Sequence, residues 1–165
     1  MIIKRNFTMV EMGVLLVIAL ILGVLVVATA MKRESSKKIS CTSNLKIIGL
    51  STRMYSNVYN EDFPHKNGRA GLQMLADEGF LEATKCYICP STNDKVYTTT
   101  DVSINASYAY AGGITESTSV ASALASDRAL NHTKYGNILF VDGHVKGFAG
   151  ISWSSSRGNS ILTDF

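Results

Sequence analysis

The hydrophobic positions of this chain change their period along its length. From Phe7 to Ala30 they run almost unbroken, twenty-four residues with one charge, Glu11, and no proline. At about 1.5 Å per residue, such a run crosses a hydrocarbon core of about 30 Å as a single helix. From Met31 the chain turns basic, with Lys32, Arg33, Lys37 and Lys38 against Glu34, yet no Pro or Gly interrupts it before Gly49, so the helix is expected to continue. There the apolar positions take helical spacing. Cys41, Leu45, Ile48, Thr52, Tyr55 and Tyr59 follow at intervals of four, three, four, three and four, on one face, and Ile47, Met54 and Val58 broaden it. The stripe lasts less than three heptads, which disfavours an autonomous coiled coil, so the rest of the chain is expected to cover it. Gly49 costs about 1 kcal/mol relative to Ala and marks a candidate bend.

Asn60-Glu61-Asp62-Phe63-Pro64 should end the helix, because the residue before proline is pushed toward extended backbone. Gly68 to Gly71 reads as a turn, and Leu72 to Glu78 as a short amphipathic helix stopped by Gly79. Strand-like composition follows at Val96 to Thr100 and at Ile104 to Tyr110, the latter closed by Gly112-Gly113. Small polar residues dominate Ser117 to Ser126 and Ser152 to Ser160. Between them lies the strongest hairpin signal: Tyr135 to Val141 and His144 to Phe148, joined by Asp142-Gly143. A two-residue type I′ turn there sets Phe140 opposite Val145 and Val141 opposite His144. The fold class is α+β, a long N-terminal helix with a small antiparallel sheet packed on its second half.

Composition narrows the function classes. Of 165 residues, about 130 remain once the N-terminal basic and apolar segments are set aside, enough for one small domain. The formal charge is +3, but removing Lys4 and Arg5 leaves 14 basic side chains against 13 acidic ones. A near-neutral domain gives no argument for nucleic acid binding.

Glu11 carries the first functional signal. An unpaired carboxylate in a membrane span costs about 2.5–3.5 kcal/mol on insertion scales. The preceding Lys4 and Arg5 belong on the cytoplasmic side by the positive-inside rule. Cutting the chain just before Phe7 would create an ammonium group four residues from Glu11, in the same or a neighbouring subunit, able to neutralise it. The segment Lys4-Arg5-Asn6-Phe7-Thr8-Met9-Val10-Glu11, followed by an apolar helix, resembles the prepilin leader of type IV pilins and type II secretion pseudopilins. That resemblance implies a pilin-like fold, cleavage between Asn6 and Phe7 by a prepilin peptidase, methylation of Phe7, and Glu11 as the assembly charge. The family usually carries Gly before the cut, where this chain carries Asn6. Asn44 to Leu50, Tyr55, Tyr59, Phe63-Pro64 and the Gly71-Leu72 helix also resemble major pseudopilins in order and spacing.

The cysteines and histidines carry the second. Three cysteines in an exported chain suggest at most one disulfide and a free thiol. Cys86-Tyr87-Ile88-Cys89 has zinc or thioredoxin spacing, but no second Cys pair exists, the histidines His65, His132 and His144 are scattered, and no βαβ context precedes it. Cys41, on the buried helix stripe, is placed to bridge to Cys89 or to Cys86, and closing a loop of about 45 residues is worth about 4 kcal/mol. His132, followed after nine residues by Asp142-Gly143, resembles the closing signature of a large pilin-like family of planctomycetes and related bacteria. Those proteins share a Cys before an Asn-Leu-Lys segment, as at Cys41 and Asn44 to Lys46, and a Cys-Pro like Cys89-Pro90. Their biochemical activity is unassigned. Six strand residues span about 20 Å, so His132 and Asp142 should not form a local dyad. Asp142 with His144 is a weak metal candidate at the hairpin tip, and Ser154 to Ser156 with Asp127 form no recognisable nucleophile setting.

The expectation is therefore a filament subunit and not an enzyme, with no cofactor. Residues 1–6 form the leader, 7–30 the membrane and assembly half of the helix, 31–60 its soluble half and 61–165 the globular region. The resemblance implies as partners a prepilin peptidase/methyltransferase, other pilin or pseudopilin subunits and an inner-membrane assembly platform. The N-terminus would be cytoplasmic and the C-terminal domain periplasmic. Two rivals remain open. One is a membrane-anchored periplasmic enzyme or metal-binding domain using Cys86, Cys89, His132, Asp142 and His144. The other is a secreted protein cut after Ala28-Thr29-Ala30, with Met31 as its mature N-terminus.

Overall fold

The computed structural model describes residues 8–132 and 134–157. The chain divides into two compact units between Ser36 and Lys37. Helix α1 (Met9–Val58) begins in the first and ends in the second. Thr8 and Glu11 cap its start reciprocally. The Glu11 carboxylate accepts the Thr8 amide at 2.8 Å and the Thr8 hydroxyl at 3.0 Å, while Thr8 Oγ1 accepts the Glu11 N–H at 3.3 Å. This is a capping box, spelled Thr-x-x-Glu. At the other end, Asn60 and Glu61 take left-handed φ values of 52° and 66°, and the Glu61 N–H reaches back to the Ser56 carbonyl at 2.9 Å. A six-to-one closure of this kind satisfies carbonyls that the last helical turn leaves open.

In the second unit, the face of α1 made by Cys41, Leu45, Ile48, Thr52 and Tyr55 is buried. Ile47, Met54 and Val58 do not widen this face; they stay exposed, and the buried flank is made instead by Ser51 and Ser56. Helix α2 (Arg69–Asp77) starts one turn earlier than the apolar pattern suggested and buries Leu72, Leu75 and Ala76. Its early start needs Gly71, because a Cβ there would lie 2.2 Å from the Lys66 carbonyl and 2.4 Å from the Tyr110 ring.

The sheet is a four-stranded antiparallel meander, β1 (Tyr108–Tyr110), β2 (Ala123–Asp127), β3 (Tyr135–Phe140) and β4 (Val145–Ala149), in the order β1-β2-β3-β4. Tyr108, Tyr110, Leu124, Ala125 and Leu139 join the core that contains the α1 stripe, whereas Ala109, Ala111, Ala123 and Ile138 pack on the opposite face. Gly49 lets Leu139 approach: a Cβ at Gly49 would stand 2.8 Å from Leu139 Cδ1.

Four local expectations are corrected. Val96 to Thr100 forms no strand, and Thr99–Asp101 is a 3-10 turn leading into the short helix α3 (Val102–Asn105). Of Ile104 to Tyr110 only β1 is extended. Strand β2 arises inside the small polar stretch: Ala-Leu-Ala-Ser-Asp has little intrinsic strand preference, and pairing on both edges imposes the conformation. The hairpin register also slips by one. Leu139 pairs with Val145 and the Phe140 N–H donates to the His144 carbonyl at 3.0 Å. The loop is thus three residues, a turn closed by Gly143 N–H to the Phe140 carbonyl at 2.9 Å, with Gly143 at φ 88°. A type I turn followed by a left-handed glycine is the usual three-residue solution. Here it buries Val141, which a two-residue turn would set opposite His144.

Candidate functional site

Four buried side chains from four separate segments converge in the second unit. They are Cys41 of α1, Cys89 in the loop after the 3-10 turn Thr84–Tyr87, Asp127 at the end of β2, and His132 in the loop before β3. Cys41 Sγ lies 2.9 Å from Cys89 Sγ, Cys89 Sγ lies 3.3 Å from His132 Nε2, and His132 Nε2 lies 3.7 Å from Asp127 Oδ2. One donor atom from each residue falls within 4.8 Å of all the others.

Each is held by its surroundings. The Cys89 loop is tied to α1 by Asn44, whose Nδ2 donates to the Ile88 carbonyl at 2.9 Å, and it turns where Thr92 N–H and Oγ1 donate to the Cys89 carbonyl. Asp127 Oδ2 accepts both the backbone N–H and the Nδ2 of Asn137 at 2.8 Å. Asn137 Oδ1 in turn accepts from Thr42 Oγ1 at 3.1 Å, linking the carboxylate back to α1. The His132 ring stacks on Tyr135 with centroids 4.2 Å apart, and its carbonyl accepts the Trp153 indole N–H.

Charge within the cluster is unevenly distributed. Cys89 is the thiol that ionises first: the bond it accepts from Cys41 lowers its pKa, as do His132 and the Ser91 N–H, against the opposing effect of burial. Cys41 moves the other way because it donates to Cys89 and is itself buried. Burial pushes the Asp127 carboxyl up to about 6, with His132 and the Asn137 donors restraining the rise. Thiolate, imidazole and carboxylate donors in one pocket can bind a divalent transition metal, and the two sulfurs alone can form a disulfide.

The other expected site residues sit elsewhere. Cys86 is buried in the 3-10 turn and lies outside the four-residue cluster, with its thiol pushed up by burial. His132 and Asp142 do not meet. Asp142 lies at the exposed hairpin tip, where its carboxylate accepts the His144 N–H at 3.0 Å and pairs with the His144 ring, which stacks on Phe140. The set Cys86, Cys89, His132, Asp142 and His144 is therefore not one site. Asn6 and Phe7 lie outside the described residues, and Glu11 is exposed and engaged with Thr8. Asp127, which the sequence offered no reason to select, is the missing member. Its one signal is that it is the charge closing a stretch of small residues, five positions before His132.

No family model matches the chain, no curated protein matches it, and no solved structure matches its fold.

Proposed function

We propose that this chain is the structural subunit of a type IV pilus-like or type II secretion pseudopilus filament, assembled through its N-terminal helix. The reading rests on one observation. Met9–Val26 is long and apolar enough to cross a membrane, with mean hydropathy 2.8, none of it is buried within the chain, and Glu11 is its one charge. A soluble protein would bury such a face, and a bilayer or neighbouring helices as its cover is what the reading supplies.

A second strip supports the same conclusion. Ile47, Leu50, Met54 and Val58 follow at intervals of three, four and four on α1 and are 37, 63, 48 and 65% exposed. They stand on the opposite side from the buried stripe, where a second copy of the chain would pack in a filament.

In this reading a prepilin peptidase/methyltransferase cuts between Asn6 and Phe7 and methylates Phe7. The subunit waits in the inner membrane, N-terminus cytoplasmic and globular part periplasmic, until an assembly platform transfers it to the filament. The Thr8–Glu11 cap satisfies the carboxylate while the chain is alone, and the new ammonium of a neighbouring subunit competes for it on assembly. Mass spectrometry of the mature N-terminus from the native host should find methylated Phe7; Met31 would overturn the reading. Glu11→Ala should remain membrane-inserted yet assemble poorly, and normal filaments from it would refute the charge-pairing step.

A further inference from the structure

We propose that Cys41, Cys89, Asp127 and His132 form a closed structural site for one zinc ion.

The donor set matches the ion. Zinc takes thiolate sulfur at about 2.3 Å and imidazole nitrogen or carboxylate oxygen at about 2.0–2.2 Å, with four ligands in a tetrahedron. Those bond lengths place neighbouring donors about 3.3–3.8 Å apart. Three of the six separations are 2.9, 3.3 and 3.7 Å and all lie within 4.8 Å, so the sulfurs need to open by less than about 1 Å and no other pair to close by more than about 1.5 Å. All four residues are buried, which leaves no open coordination position and makes the site structural.

The surroundings are those of ligands held in place. The carboxylate is oriented by two donors from Asn137, itself fixed by Thr42. The imidazole is fixed by the Tyr135 ring, and its backbone by the Trp153 indole. Outer contacts of this kind orient metal ligands and raise affinity. On binding, the Cys41 and Cys89 thiols each release a proton to solvent and the ion takes both sulfur lone pairs; no oxidant is needed. A Cys41–Cys89 disulfide accounts for the two sulfurs alone, whereas the ion accounts for all four groups. The ion would clamp α1, the Cys89 loop, β2 and the β3 approach together, so that part of the folding free energy is metal-binding free energy.

The full chain, purified in detergent and kept from air, with a separate portion alkylated only to map disulfides, tests this independently of filament assembly. Mass-spectrometric metal analysis should find about one zinc per chain. Replacing it with Co²⁺ should give thiolate-to-cobalt charge transfer and the intense visible bands of a tetrahedral site. Cys86→Ser should keep both signals. Cys41→Ser should lose the charge-transfer intensity by about half, and His132→Ala should bind Co²⁺ at least about tenfold more weakly. Should these variants fail to fold, the wild-type metal content and cobalt spectrum decide alone. Metal-free chain carrying a Cys41–Cys89 disulfide peptide, or a Co²⁺ spectrum without charge transfer, would overturn the proposal.

Discussion

Gly136→Ala offers a sharp test of how the C-terminal segment is held on the sheet. A Cβ built on Gly136 lies 2.2 Å from Cδ2 and Cε3 of Trp153 and 2.4 Å from Cε2. Carbon atoms in contact need about 3.5 Å or more, so the indole must retreat by at least about 1.3 Å. It has little room: Trp153 is 2% exposed, and its Nε1 donates to the His132 carbonyl. Gly136 lies within β3 with no positive φ, so the ring and not the backbone opposes the methyl group. Expulsion of the ring would cost about as much as deleting it, about 3–5 kcal/mol for a buried Trp, and partial accommodation about 1–3 kcal/mol. We expect about 3 kcal/mol. Urea unfolding of the full chain in detergent, followed by tyrosine fluorescence and circular dichroism, measures the loss. Emission from Trp153, the one tryptophan of the chain, should shift red under native conditions. In a Trp153→Ala background the same substitution should be nearly neutral, because the clash is gone. An equal cost in both backgrounds would refute this account.

Other substitutions probe separate contacts. Leu139→Ala should cost about 2–5 kcal/mol in the same titration, since the side chain is fully buried and fills the gap left by Gly49. Gly143→Ala meets no neighbour within 4 Å but sits at φ 88°, so backbone strain alone should cost about 1–2 kcal/mol. A loss below about 0.5 kcal/mol would refute the left-handed backbone at this position. Glu116→Gln should cost about 1 kcal/mol or less, because its pair with Arg53 at 3.3 Å is partly exposed and the Ser56 hydroxyl can still donate to the amide oxygen; salt should weaken the wild-type contribution and leave the variant unchanged.

Local pattern determined much of this protein. The apolar run to Ala30, the four-three stripe from Cys41 to Tyr55, the helix stop at Asn60-Glu61 and the β3–β4 hairpin are written in periods and turn residues whose effects act within a few positions. Long-range pairing decided the rest. Strand β2 is extended because β1 and β3 flank it, the hairpin slipped by one residue to bury Val141, and Ile47, Met54 and Val58 were left outside because the sheet and α2 cover only one side of α1. The chemistry followed the same division. Cysteine and histidine could be singled out by type, but the meeting of Cys41, Cys89, Asp127 and His132 joins residues up to 91 positions apart. Only the packing of sheet against helix could select Asp127 and exclude Cys86, Asp142 and His144, because donor distances are set by strand register and helix contact, and neither is encoded in the spacing of the residues themselves.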